Sequence, residues 1–133
     1  MKDLERRRLA LEATANKYRG KVLDFHTADC VRMVRFHLLQ MGHKPPTLPR
    51  YRSLTGAVRA MKAAGGLVAA FDAILPRIAP AMMLDADIAV IAGDGGDAAL
   101  IRCGYKFMGW HQDHDEAVNL MVDLGNITAA WRA

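Results

Sequence analysis

Hydrophobic positions recur with a helical period as far as residue 75 and change to short β-branched runs after residue 85. The strongest helical stripe lies in the middle of the first half. Cys30, Met33, Val34, His37, Leu38 and Met41 fall at i, i+3, i+4, i+7, i+8 and i+11, one continuous face, while Arg32, Arg35 and Gln40 lie off it and are expected in solvent. Thr27 or Asp29 can cap this helix, and Gly42 supplies a left-handed stop. Ahead of it, residues 3–18 read as a helix with Leu4, Leu11, Ala15 and Tyr18 on one face; its triple arginine, Arg6 to Arg8, reads as a solvated surface. After the stripe, three prolines within residues 45–49 forbid a regular ladder and predict a stiff extended connector. Ser53 can cap a helix over 54–64, with Leu54, Ala57, Val58 and Met61 on one face. Gly65-Gly66 stops it, and Leu67, Ala70, Phe71 and Ile74 predict a short helix to Leu75, with Pro76 and Pro80 closing the helical half.

The pattern then changes. Ile88-Ala-Val-Ile-Ala92 has strand character, Gly93-Asp-Gly-Gly96 is a turn, residues 98–103 are the returning strand, and Gly104 turns the chain into a third strand over 105–110. Residues 111–116 read as a polar loop and 117–123 as a fourth strand. Leu124, Ile127, Ala130 and Trp131 suit a closing turn of helix that packs its tryptophan on the sheet. Helices first and an antiparallel meander after is the α+β arrangement. No repeat or long linker divides the chain. One domain is expected over 1–133: a helix and lead-in over 1–24, the cysteine helix and further helices over 25–80, and the meander with its closing turn over 85–133.

Composition narrows the classes. The chain has 133 residues, 52% hydrophobic and 24% charged, which is the balance of a globular protein with one core. No apolar run approaches the length of a membrane span, and the charged start Met-Lys-Asp-Leu-Glu-Arg is not a secretory signal. The net charge of +4 is weighted to the N-terminal half and favours an acidic partner, but the dense basic stripe with interleaved aromatics expected of a nucleic-acid site is missing. Cys30 and Cys103 are far apart in sequence and no CxxC occurs, so reduced thiols are expected, and no zinc knuckle or redox motif.

Candidate chemistry centres on Cys30. At the first turn of a helix its thiolate is favoured by unpaired backbone N–H groups and the helix dipole, and the thiolate is the nucleophilic form. Equally, a free cysteine there can be a small apolar residue that starts a buried stripe. A cysteine nucleophile needs a base within hydrogen-bond reach and a group that orients the base. His37 shares the helical face but lies about 10 Å along the axis and is read as a core histidine. His43 lies at the far end of the helix. His26, in the preceding loop, and His111, after the third strand, stand equally as candidate bases. His111, Asp113, His114 and Asp115 have the chemistry of metal ligands, but a polar loop of that composition reads as solvated, so no metal and no cofactor are expected. The glycine-rich turn at 93–96 joins two strands and is not followed by lysine-serine, which argues against a phosphate loop. Asp85 and Asp87 read as the edge of the first strand.

The order of parts resembles the small papain-like NlpC cysteine peptidases, and more specifically a small family of tailed-phage and prophage proteins near that superfamily. The matching segments are residues 25–30 with Asp29-Cys30 at their centre, Gln40-Met-Gly42, Tyr51-Arg52 with Gly56-Ala57, Gly65-Gly66, Asp87-Ile-Ala-Val90, Cys103-Gly104 and Ala130-Trp131-Arg132. The resemblance implies a papain-like core and a place among tail proteins of a virion, assembled in the host cytoplasm. Its implied partners are other proteins of the tail hub or tip, with peptidoglycan as a further contact, and Cys30 takes the nucleophile's position. The chain departs from the pattern at two places. The histidine that should follow the glycine turn, near the start of the second strand, is replaced by Asp97-Ala98-Ala99, and the glycine expected before the first strand's aspartate is Ala86. The function expected on this resemblance is a structural or accessory tail component with a degenerate site; the alternative is an active peptidase or amidase cutting peptidoglycan stem peptides through Cys30.

Overall fold

The computed structural model describes residues 3–93, 96–111 and 114–133, those at 111 and 114 by backbone alone. Four helices come first: α1 (Asp3–Tyr18), α2 (Cys30–Gln40), α3 (Leu54–Ala63) and α4 (Leu67–Asp72). Six strands follow: β1 (Arg77–Ile78), β2 (Ile88–Gly93), β3 (Gly96–Cys103), β4 (Lys106–His111), β5 (His114–Leu120) and β6 (Ile127–Trp131). They form one antiparallel sheet in the order β1-β6-β2-β3-β4-β5. The α+β class and the central meander are therefore as expected.

Both faces of the sheet are apolar. Ile88, Val90, Ala99, Ile101, Met108 and Trp131 point to the helices, where Met33, Val34 and Leu38 of α2 meet them. Ala89, Leu100, Phe107 and Ala130 form a second cluster on the other face, under Met83, Leu120 and Val122. A strand buried on both sides reads as an unbroken apolar run, which is why 88–92 does not alternate.

Several expectations fail in instructive ways. The closing helix is instead the strand β6, preceded by a short 3-10 turn (Leu124–Asn126), and it inserts between β1 and β2. Its i, i+3 apolar spacing was compatible with either element. The two-residue strand β1, hidden between Pro76 and Pro80, covers its edge. The expected polar loop 111–116 is largely strand, because β4 runs to His111 and β5 starts at His114; Gln112 and Asp113 lie outside the described residues, as do Asp94 and Gly95 of the glycine-rich turn. Trp131 does reach the core, and its indole N–H donates to Asp72 Oδ1 at 2.8 Å, tying α4 to β6. Bonds from Arg77 and from that indole hold the Asp72 carboxyl down at about 2.

Helix α1 is rotated from its expected face. Its buried line is Arg7, Ala10, Thr14 and Tyr18, while Leu4 is 80% exposed. The cause is electrostatic: Arg7 is drawn inward by the fully buried Asp87, with Nη1 donating to Oδ1 at 2.9 Å. The triple arginine is thus not one solvated surface, since only Arg8 is exposed outright. Nor is Arg32 solvated; it is half-buried and bonded to three residues.

Ala86 occupies the left-handed region with φ of 80°, alone among the described residues that are not glycine. Its carbonyl there accepts from His37 Nε2 at 2.9 Å, and its N–H donates to Arg102 O. An L-residue in that region is strained by roughly 1–2 kcal/mol, partly offset because glycine loses more entropy on folding. Ala86→Gly relieves that strain but also removes a fully buried core methyl worth about 0.8 kcal/mol, so the urea midpoint should move by less than about 1 kcal/mol at unchanged slope, whereas a buried alanine lost from an unstrained position would only destabilise.

Candidate functional site

The segment before α2 sets the site. Asp29 has extended geometry at the N-cap, and its Oδ1 accepts the Arg32 backbone N–H at 2.9 Å. Of the two caps the sequence offered, it is Asp29 that serves. Its Oδ2 accepts from the Tyr51 hydroxyl at 2.8 Å and from Arg32 Nη1. The Arg32 guanidinium also donates to the carbonyls of Phe25, at 2.7 Å, and Tyr51, at 3.2 Å, and stacks over the Tyr51 ring at 4.3 Å. Burial, then the hydrogen bond and charge of Asp29, push the Tyr51 phenol well above its ordinary range. This cluster joins the cysteine loop, the helix start and the proline connector into one support. The sequence held a hint of it in Tyr51-Arg52, but nothing in spacing revealed that Arg32 would turn inward.

Cys30 opens α2 and is half-buried at one end of a groove of about 320 Å³. One wall is the apolar stripe of α3, Leu54, Ala57, Val58 and Met61. No residue of α3 is fully buried, and Leu54 and Val58 remain 47% and 45% exposed. The four residues share one face, as their spacing predicts, and that face lines the groove. The opposite rim carries Asp97, at the start of β3.

The backbone N–H groups of Ala99 on β3, of Cys30 and of Val31 favour the thiolate, but desolvation is the larger effect and the Asp29 charge adds to it, so the thiol is pushed up to about 11. It is protonated at neutral pH. The helix start does not produce an ionised cysteine here.

The histidines are dispersed. His26 is exposed, its backbone N–H bonded to Asp24 Oδ1 at 2.8 Å, and its ring lines a different cleft on the far side of Tyr51. His37 is fully buried between Thr14 Oγ1, at 3.1 Å, and Ala86 O, at 2.9 Å, as its reading as a core histidine anticipated. Burial holds it down at about 4, so its ring is neutral. His43 follows the far end of α2. His111 closes β4 opposite His114, and the side chains of both lie outside the described residues. Among the described residues, then, no imidazole is brought to Cys30, and Asp97 is the ionisable side chain that shares its groove besides Asp29, Tyr51 and Lys62. A carboxylate is a far weaker base than imidazole toward a thiol. Cys103 is on β3, free like Cys30. No group of three histidine, cysteine or acidic side chains able to hold a metal occurs among the described residues; the segment once considered for that role falls mostly outside them.

Comparison with known proteins agrees with this architecture. The P60 domain of M. avium paratuberculosis antigen MAP1272c superposes with a TM-score of 0.62 at 12% identity, covering 98% of this chain and 95% of that one. At that identity the likeness establishes the fold. No curated protein matches the sequence. A family model described as a domain of unknown function, DUF6950, matches residues 2–133. The chain belongs to the DUF6950 family and has the α+β fold of an NlpC/P60-like, papain-type domain.

Proposed function

We propose that this domain is a structural or accessory component of a tailed-phage or prophage tail, held among tail-tip proteins, with an NlpC-like site that no longer cleaves. The observation that supports the second half of this reading is the lining of the Cys30 groove, which among the described residues holds Asp29, Tyr51, Lys62 and Asp97 but no imidazole. Attack on an amide by a thiol needs such a base. The tail assignment rests on the sequence resemblance, and the fold is compatible with it. Assembly would place the protein in the host cytoplasm first and in the virion afterwards.

The reading is tested in a phage or prophage that carries this gene. Cys30→Ala should leave particle assembly and infectivity at wild-type levels, while deletion of the gene should yield defective tails by electron microscopy. Normal particles that lose infectivity on Cys30→Ala would contradict it. One observation favours a second reading, an active peptidase or amidase on peptidoglycan: Cys30 is half-exposed in an open groove at a helix start. Turbidity loss of purified cell walls by wild type but not by Cys30→Ala would establish that reading.

A further inference from the structure

Beyond Tyr51 from the cysteine groove lies a larger cleft of about 710 Å³ between α2, the end of α1 and the proline connector. That size is within the range of small-molecule sites. Five cations line it, Lys17, Arg32, Arg35, Arg50 and Arg52, and no aspartate or glutamate does. Arg32 is neutralised by Asp29. The other four have no ion-pair partner among the described residues, so this one cleft holds an excess equal to the net charge of the whole chain, +4.

Two of the four side chains are held in place, and the main chain of the other two is anchored. Lys17 Nζ sits over the Phe36 ring at 4.4 Å. Arg35 Nε donates to Pro46 O at 3.0 Å, leaving the two terminal nitrogens of its guanidinium open. Arg50 and Arg52 flank Tyr51, whose backbone carbonyl and hydroxyl are both bonded, so their main chain is anchored while their side chains are exposed. Guanidinium forks bind planar or tetrahedral oxyanions in bidentate fashion, and convergent like charges repel one another until an anion joins them.

We infer that this cleft binds a small polyanion, a ligand carrying two or more phosphate or carboxylate groups. The inference is independent of the tail assignment and of any chemistry at Cys30. Calorimetric titration at low ionic strength tests it, with pyrophosphate and citrate as separate probes. At least one should bind saturably at one per chain, and the tighter of the two identifies the anion class. Replacing both Arg50 and Arg52 by glutamine should weaken that binding by about tenfold or more, with the melting temperature unchanged because both side chains are exposed. Saturation by neither probe, or equal binding by wild type and the double variant, would overturn the inference.

Discussion

Asp87→Ala is expected to destabilise the protein by about 3–5 kcal/mol, a large part of the roughly 5–15 kcal/mol that holds a domain folded. Asp87 is fully buried, and its carboxylate is the point where three parts of the chain meet. Oδ1 accepts from Arg7 Nη1 of α1 at 2.9 Å and from the Ala133 backbone N–H at 3.0 Å. Oδ2 accepts the Leu84 N–H at 2.8 Å and lies 3.3 Å from Arg132 Nε. Arg7 in turn donates to the backbone oxygens of Asp85, at 2.7 Å, and Ala133, at 2.8 Å. Its side chain is 4% exposed, so removal of the carboxylate leaves the guanidinium with the largely exposed Asp3, Nε to Oδ2 at 3.0 Å, as its remaining charge partner among the described residues. The cost of leaving that buried charge under-compensated, not the worth of the pair, dominates the loss. Replacing both partners with apolar residues of similar volume should therefore recover much of it. Urea unfolding of the two single variants and the double variant checks this. A loss under about 1 kcal/mol for Asp87→Ala would mean that the charge finds water or another partner.

The second large effect is a loss of stability on mild acidification. His37 is fully buried, and burial holds its folded-state value at about 4 against an ordinary 6.5. Because the folded value is the lower one, the unfolded chain binds the extra proton first. The stabilisation is complete above about pH 6.5 and drains away as pH falls toward 4. A gap of that size corresponds to roughly 3 kcal/mol over the interval. The Arg7 charge works in the same direction and Asp87 opposes it, both more weakly than burial. His43 is also lowered by burial and contributes to the same slope. The carboxyls held low, Asp3, Asp24 and Asp72, act only at more acidic pH. Unfolding free energy measured from pH 7.5 to 4.5 should fall steadily below 6.5, and His37→Gln should flatten the slope. A flat profile in wild type would show that the imidazole is protonated without cost.

Much of the fold was legible because local signals agreed with tertiary needs. The α2 stripe, its Asp29 cap and the Gly42 stop, at φ of 94°, all pointed the same way. The meander announced itself through β-branched runs and glycine turns. What was not legible was decided by partners distant in sequence. The face of α1 was set by Arg7 reaching Asp87, which no local hydrophobic count can foresee. Residues 127–131 carry spacing that suits helix or strand, and only the open edge of β2 selects the strand. In the site, the place of Cys30 at the first turn of a helix could be read from spacing and capping. The thiol's protonation could not be read, because the helix start and burial act in opposite directions and only the packing tells which is larger. The role of α3 was hidden for a related reason: an apolar stripe looks the same whether it faces a core or lines a groove.

The proposal of a silent site at Cys30, with no imidazole beside it among the described residues, is tested most directly by the pH dependence of Cys30 alkylation, read by mass spectrometry after iodoacetamide treatment of the folded protein. This readout does not depend on guessing a substrate. The thiol at about 11 predicts negligible reaction near neutrality and a rate that climbs about tenfold per pH unit through pH 9, with no plateau below it. A fast reaction levelling off between about pH 5 and 7 would instead reveal a thiolate paired with an imidazolium, and the account of a silent site would be wrong.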